Sequence, residues 1–188
     1  MKTKQFVILG LGIFGSTLAK NITRFGHEVL AIDKDPACVQ RVSDFCTKAV
    51  IGDVTDKDFL VGLGVEEFDV GVVCIGDELE GSLLAVLNRK EIGVPYVVAK
   101  AKNKRYEEVL SRVGADVVIN PEKEMGIRVA RQLVRNNIQD LIPLDEENSI
   151  VEMKVPHEWA GKSLIDLNLR AKYGINIIGK RDEATGKL

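Results

Sequence analysis

Cysteine, histidine and aromatic residues are scarce in this chain of 188 residues, which has three cysteines, two histidines and one tryptophan. Cys38, Cys46 and Cys74 share no spacing that is typical of metal ligands. An odd number of scattered cysteines is typical of reduced thiols in the cytoplasm. Only His27 and His157 could add imidazole ligands. Since zinc sites are built from clustered cysteines and histidines, we expect none here.

The chain also lacks long apolar runs and a surplus of either charge. Its longest apolar stretches, such as residues 70–76, are far too short to cross a bilayer, and no signal peptide is visible. The 26 basic residues are scattered among 28 acidic ones, which gives a net charge of −2 and no basic stripe. We therefore expect a cytoplasmic protein with no nucleic-acid partner.

Short apolar or β-branched runs alternate with amphipathic stretches up to residue 138. This alternation is typical of an open α/β sheet. Asp35 and Pro36 mark one helix start, and Gly114 marks a helix end. We predict a Rossmann-like, doubly wound parallel sheet of six strands in a domain over residues 1–138. The predicted strands are 5–9, 27–32, 48–51, 69–75, 95–100 and 116–119, and the predicted helices are 13–25, 36–45, 56–63, 80–92, 104–113 and 123–136.

The pattern changes after the sixth helix. Residues 139–148 contain a proline and several acids and are predicted to be a linker. The last segment, 149–188, is predicted to be a partial small α+β domain with strands at 149–155 and 175–180 and a short helix at 163–167. So small a segment is not expected to be stable alone. We therefore expect either that this segment packs on the first domain or on a partner chain, or that the sequence ends inside a second domain.

Between the first predicted strand and the first predicted helix lies the string Gly10-Leu11-Gly12-Ile13-Phe14-Gly15. In this context a G-x-G-x-x-G string predicts a dinucleotide-type site. Gly10 permits a tight turn, Gly12 lets a phosphate approach the backbone, and Gly15 lets the helix pack closely on the sheet. Free N–H groups at the helix start would face the phosphates. The alternative is a glycine-rich turn without a ligand.

Asp33 closes the second predicted strand, where a carboxylate can accept hydrogen bonds from ribose hydroxyls. Such an acid disfavours a 2′-phosphate, so NADP is not expected. Ligands of open α/β sheets bind beyond the carboxyl ends of the strands. Further candidate contacts near those ends are Lys34, Asp53, Val54, Ile75, Gly76, Lys100 and Glu122.

Two of these residues have simpler alternative roles. Lys100 could be a solvated lysine at a strand end, and Glu122 could be an acid favoured by the dipole at a helix start. Tyr96 and Lys100 also match the Y-x-x-x-K pattern of short-chain dehydrogenases, with Ser82 upstream. That chemistry needs the pair on one helical turn, whereas this segment is predicted to be a strand. Nucleotide binding without turnover is therefore the simpler hypothesis.

Several segments together resemble the regulator of potassium conductance (RCK or KTN) domain, and most closely the cytosolic Ktr/Trk regulatory subunits of bacterial potassium uptake systems. The segments are 10–15, 26–33, 51–53, 114–116 and 120–126, and 163–176 resembles the opening of the family's C-terminal (TrkA-C) domain. That domain normally continues further, so we expect the sequence to cover only part of it.

The resemblance implies a regulatory subunit rather than an enzyme. Such subunits form homodimers and then octameric rings beneath a membrane potassium channel or transporter, at the inner face of the membrane, and bound nucleotide changes the ring to control potassium flux. By position, the glycine string would hold the phosphates, Asp33 the ribose, and Asp53 and Val54 the adenine. Glu122 would lie near the terminal phosphates with a divalent cation such as Mg²⁺ or Ca²⁺.

One departure from the family pattern concerns ligand choice. Ile13 stands where the related subunits usually carry an arginine that reaches the γ-phosphate, so ATP loses a charge-assisted contact. ATP, ADP, AMP and NAD(H) all remain candidate ligands. Some relatives bind cyclic di-AMP, and Arg170 and Asn176 fall in the matching segment. The alternative functions are an NAD-dependent oxidoreductase and a nucleotide-sensing module for another partner.

Overall fold

The six predicted strands of the first domain form one parallel sheet in a computed structural model, which describes residues 2–75, 79–134, 138–145, 148–182 and 184–185. The sheet order is β3-β2-β1-β4-β5-β6, and every neighbouring pair is parallel. The predicted Rossmann-like, doubly wound α/β fold is thereby confirmed. The strands are β1 Gln5–Leu9, β2 Glu28–Asp33, β3 Lys48–Ile51, β4 Val70–Val73, β5 Tyr96–Lys100 and β6 Val117–Ile119.

Helices connect these strands, and one of them begins at the predicted pair Asp35 and Pro36. The side chains of Asp35, Asp56 and Asn103 each accept a hydrogen bond from a backbone N–H in the first turn that follows. None of the described helices has both the length and the apolar character that crossing a bilayer requires. The helices are α1 Ile13–Arg24, α2 Pro36–Val42, α3 Lys57–Gly62, α4 Leu79–Ile92, α5 Lys104–Val113 and α6 Pro121–Val134.

The core lies on both faces of the sheet, as parallel sheets require. Along β1, Val7 and Leu9 belong to one buried cluster, while Ile8 belongs to the cluster on the other face. All three side chains are fully buried. Each contributes about 1.5–3 kcal/mol relative to an exposed position. The central strand thus anchors the glycine string that follows it.

The chain divides into two compact units, Met1–Met125 and Gly126–Leu188, and the division falls inside α6 rather than at residue 138. The second unit contains an antiparallel pair, β7 Ile138–Pro143 and β8 Ser149–Met153. A linker is expected over residues 139–148, but residues 139–143 belong to β7, which pairs with β8. Two short helices follow, α7 Leu164–Leu167 and α8 Leu169–Tyr173. Residues 175–180, all described, form no strand, which corrects that expectation.

Candidate functional site

Gly10 makes the turn between β1 and α1. Its φ is +92°, a left-handed conformation that side chains rarely adopt, and its N–H donates to the carbonyl of Ile32 at 2.9 Å. A Cβ here would lie 3.1–3.2 Å from backbone atoms of Cys74 and Ile75. Backbone strain and close packing therefore both favour glycine at this position.

The other two glycines of the string differ in their surroundings. A Cβ on Gly15 would lie 2.0 Å from the carbonyl oxygen of Gly10, so α1 can approach the turn only without a side chain there. A Cβ on Gly12 would meet no atom within 4 Å, and its backbone is extended at φ −61° and ψ −168°. Gly15 is thus needed for packing, whereas the space beside Gly12 is open to an approaching group.

Asp33 is connected to this turn by hydrogen bonds. The N–H of Leu11 donates to its Oδ2, and the N–H of Asp35 donates to its Oδ1 at 2.9 Å. The residue is half-buried at the end of β2. Since each carboxylate oxygen can accept more than one hydrogen bond, the side chain is oriented by the backbone and still able to accept donors.

The predicted contacts after β2 and β3 form a second group. Oδ1 of Asp53 accepts hydrogen bonds from the N–H and the hydroxyl of Thr55, at 2.9 and 2.7 Å. These bonds, and then the charge of Lys34, hold the pKa of Asp53 below its ordinary value. Asp53 and Lys34 are exposed, while Val54 is buried in the core. The group therefore combines the ionised carboxylate of Asp53 with the apolar side chain of Val54.

After β4, Ile75 is half-buried, and its carbonyl accepts a hydrogen bond from the Ser82 hydroxyl at 2.9 Å. This bond ties the end of the β4 segment to α4. Gly76, the other candidate in this segment, lies outside the described residues. Cys74 packs beneath the glycine string, and burial raises the pKa of its thiol to about 12. It is therefore a neutral packing residue.

Lys100, the last residue of β5, and Glu122, the second residue of α6, form an ion pair with Nζ and Oε1 2.7 Å apart. The hydrogen bond from Lys100 holds the pKa of Glu122 below its ordinary value. The Lys100 ammonium also lies 5.9 Å from the centre of the Phe14 ring, in the first turn of α1. The structure thus brings Lys100, Glu122 and the glycine string together.

Tyr96 and Lys100 do not form a catalytic pair. They occupy the two ends of β5, so four residue steps place their Cα atoms roughly 13 Å apart. The prediction of a strand here is confirmed, and the Y-x-x-x-K match has the wrong geometry for dehydrogenase chemistry. Within the described ranges, no three His, Cys, Asp or Glu residues gather as they would at a metal site.

The second unit contains a groove of about 350 Å³. Arg170 and Asn176, the predicted contacts for a second ligand, both line it. The other lining residues are mainly apolar: Leu164, Ile165, Asn168, Leu169, Ile175 and Ile177. The two candidates are therefore neighbours in space.

Sequence reasoning missed the buried guanidinium of Arg89. This residue of α4 is fully buried, and its Nε, Nη1 and Nη2 have no hydrogen-bond partner among the described residues. Burial lowers its pKa to about 9. Its stem lies against Gly71 of β4, where a Cβ would come within 3.3 Å of the Arg89 Cδ. A glycine inside a predicted strand was the one available signal of a bulky neighbour.

Residues 6–121 match the family model of the TrkA-N domain. The chain is 43% identical over 175 residues to Ktr system potassium uptake protein C of Bacillus subtilis, which covers 93% of this chain and 79% of that protein. It is 41% identical over 178 residues to Ktr system potassium uptake protein A of the same bacterium, covering 95% and 80%.

Solved structures with a similar fold include the RCK domain of GsuK, with a TM-score of 0.67 at 20% identity over 95% of this chain and 39% of that one. The GsuK channel bound to NAD has a TM-score of 0.67 at 19% identity, over 98% of this chain and 34% of that one. The Kef CTD of Shewanella denitrificans in its AMP bound form has a TM-score of 0.57 at 21% identity, over 69% of this chain and 80% of that one. At these identities the likeness concerns the fold.

Proposed function

The chain belongs to the TrkA-N domain family and is a relative of the Ktr system potassium uptake proteins, and from that premise we propose that it is a nucleotide-binding regulatory subunit of a potassium channel or transporter. The observation that carries the nucleotide site is the glycine string joined by a hydrogen bond to Asp33. Phosphates would lie at the start of α1 beside Gly12, with the ribose on Asp33. Asp53 and Val54 would contact the adenine.

The ligand is an adenine nucleotide, either ATP, ADP, AMP or NAD(H). NAD and AMP are bound by proteins of similar fold, the GsuK channel and the Kef CTD. Ile13 lies at the start of α1, is 92% exposed and offers no charge to a third phosphate. We therefore expect weak discrimination between ATP and ADP.

Glu122 would help to bind a divalent cation that also contacts the nucleotide phosphates. Mg²⁺ is commonly held by one or two carboxylates together with phosphate oxygens, and Ca²⁺ also prefers oxygen ligands. Glu122 is one such carboxylate, and its side chain is 66% exposed. The remaining ligands would be phosphate oxygens and water.

Assembly into homodimers and an octameric ring would place the subunit beneath its membrane partner, at the cytoplasmic face. The apolar side chains of α6 support an interface there, since Leu133 and Val134 are 75% and 81% exposed and Met125 is 53% exposed. Cyclic di-AMP would bind in the groove lined by Arg170 and Asn176, where a guanidinium can meet a phosphate. Nucleotides would control flux by binding one ring conformation more tightly than another.

Titration with ATP, ADP, AMP, NAD⁺ and NADH, followed by melting temperature and light scattering, tests this proposal. A ligand at about 100 times its Kd should stabilise the fold by about 2.7 kcal/mol. Gly12→Ala is the informative variant, because its methyl group meets no protein atom but enters the space beside the phosphate site. It should keep the wild-type melting temperature and lose the nucleotide response.

Gly62→Ala is the matched control, since a Cβ there also meets nothing within 4 Å but lies at the end of α3. It should retain the full nucleotide response. A wild-type monomer that is indifferent to all five ligands would contradict the proposal.

A further inference from the structure

The two partners in the Lys100–Glu122 ion pair are unequally exposed. The side chain of Lys100 is 15% exposed, whereas that of Glu122 is 66% exposed. Glu122 can therefore move into water with little change in its solvation, but the ammonium of Lys100 needs a nearby anion to balance its partial burial. Of the two groups, the carboxylate is the one that another anion can replace.

Two observations place the ammonium of Lys100 at the glycine string. It lies 5.9 Å from the Phe14 ring, and Phe14 is the second residue of α1, whose first N–H groups have no partner within the helix. Burial raises the pKa of the Cys74 thiol and the charge of Lys100 opposes that rise, while the backbone and Cβ of Cys74 lie next to Gly10 and Gly15. A phosphate held by the string would thus come near the same ammonium.

We propose that Glu122 competes with nucleotide phosphates for Lys100, so that phosphate binding and the Lys100–Glu122 ion pair exclude one another. This inference rests on the proposed nucleotide site. A phosphate that displaces the carboxylate releases the side chain of Glu122, the second residue of α6, and only this released carboxylate would be free to hold the divalent cation. That helix runs across the division between the two units, so ligand binding changes a contact at its first turn.

Glu122→Gln separates the charge of the residue from its shape, because the amide is similar in size but cannot neutralise an ammonium. With EDTA present to remove divalent cations, the variant should bind ADP and ATP roughly three- to tenfold more tightly than the wild type. Adenosine, which has no phosphate, should bind both proteins equally. Lys100→Gln should weaken ADP binding, and the gain from Glu122→Gln should vanish in the double variant.

Glu91→Gln is the matched control. Glu91 pairs with Lys57 at the same distance of 2.7 Å, but both side chains are about half exposed and belong to α4 and α3. Its nucleotide affinities should equal those of the wild type. Isothermal titration calorimetry gives the affinities, and the melting temperature of each ligand-free variant checks its folding.

The possible failures are distinguishable. Wild-type protein that binds none of the nucleotides would overturn the proposed function and this inference with it. Wild-type protein that binds ADP, with Glu122→Gln binding it equally or more weakly in EDTA, would overturn the inference alone. A gain in affinity that also appears for adenosine, or that persists in the double variant, would likewise overturn it.

Discussion

The backbone N–H of Leu11 donates a hydrogen bond to Oδ2 of Asp33, which joins the turn after β1 to the end of β2. The second oxygen of the same carboxylate accepts the N–H of Asp35 at 2.9 Å. One side chain thus connects two strand-to-helix segments. Because the protein itself holds the carboxylate in place, a ribose would meet an acceptor that is already oriented.

Asp33→Asn should weaken both the turn and the ligand site. Asparagine keeps one acceptor oxygen, so one of the two backbone N–H groups loses its partner. We expect the free energy of unfolding to fall by about 1–2 kcal/mol and the affinity for adenosine nucleotides to fall roughly tenfold. Urea denaturation and calorimetry measure these effects. Glu66→Gln, at an exposed position away from the string, should change neither.

Ile13→Arg should create a preference for ATP. Ile13 is 92% exposed, so an arginine fits at this position without disturbing the core. A guanidinium at the start of α1 can reach a terminal phosphate, and we expect the ratio of ATP to AMP affinity to rise about three- to tenfold. Ile13→Gln, which is polar but uncharged, should leave this ratio unchanged. Equal ratios for the arginine variant and the wild type would refute the role given to this position.

Arg89→Met should stabilise the protein. Methionine fills a similar volume along Gly71 and removes a buried guanidinium that has no partner in the described part of the chain. We expect the free energy of unfolding at pH 7 to rise by about 2 kcal/mol. Arg112→Met, at an exposed position of α5, should change it by less than about 0.5 kcal/mol. A loss of stability in Arg89→Met would show that the guanidinium has a favourable partner.

The advantage of Arg89→Met should shrink at high pH. Burial lowers the pKa of Arg89 to about 9 from its ordinary value of 12.5. Below pH 9 the residue is charged in both the folded and unfolded chains, so the burial penalty is complete. Above pH 9 the folded chain binds fewer protons than the unfolded chain, and the wild type gains stability. Denaturation curves at pH 7.5 and pH 10 should therefore differ less between the two proteins at the higher pH.

Asp116 should contribute stability that is lost in acid. The ammonium of Lys90 and the N–H of Val97 both donate to its Oδ2 at 2.7 Å and hold its pKa below the ordinary 3.8. A lowered carboxyl pKa adds stability above pH 3.8, and the contribution disappears as the pH falls through the folded value. Asp116→Asn should cost about 1 kcal/mol at pH 7. Its difference from the wild type should narrow below pH 3.8, as followed by urea denaturation.

Much of the first unit could be predicted because residues close together in the sequence mark where its helices and strands begin and end. Glycines with left-handed backbones follow several helices, as at Gly64, Gly93 and Gly114, and capping side chains precede α3 and α5. The strands are short apolar runs between these marks, so their order along the chain was clear. The matches to the TrkA-N domain and to the Ktr proteins confirm the family resemblance read from the same residues.

What could not be predicted depends on contacts between distant residues. Residues 139–148 have the proline and acids of a linker, yet the first of them belong to β7, where the antiparallel strand β8 supplies hydrogen bonds to their backbone. Lys100 and Glu122 meet only because β5 and β6 are adjacent in the sheet. An arginine in a helix is normally assigned to the surface, and only the tertiary structure buries Arg89.

Both edges of the six-stranded sheet are short, since β3 has four residues and β6 has three. Long open edges invite another chain to add a strand, which leads to fibrous aggregation. Lys48 at the start of β3 opposes such growth further, because its charge would have to enter the joined sheet. Neither edge of the sheet therefore offers a second copy of the chain a long row of unpaired backbone groups to which a further strand could be added.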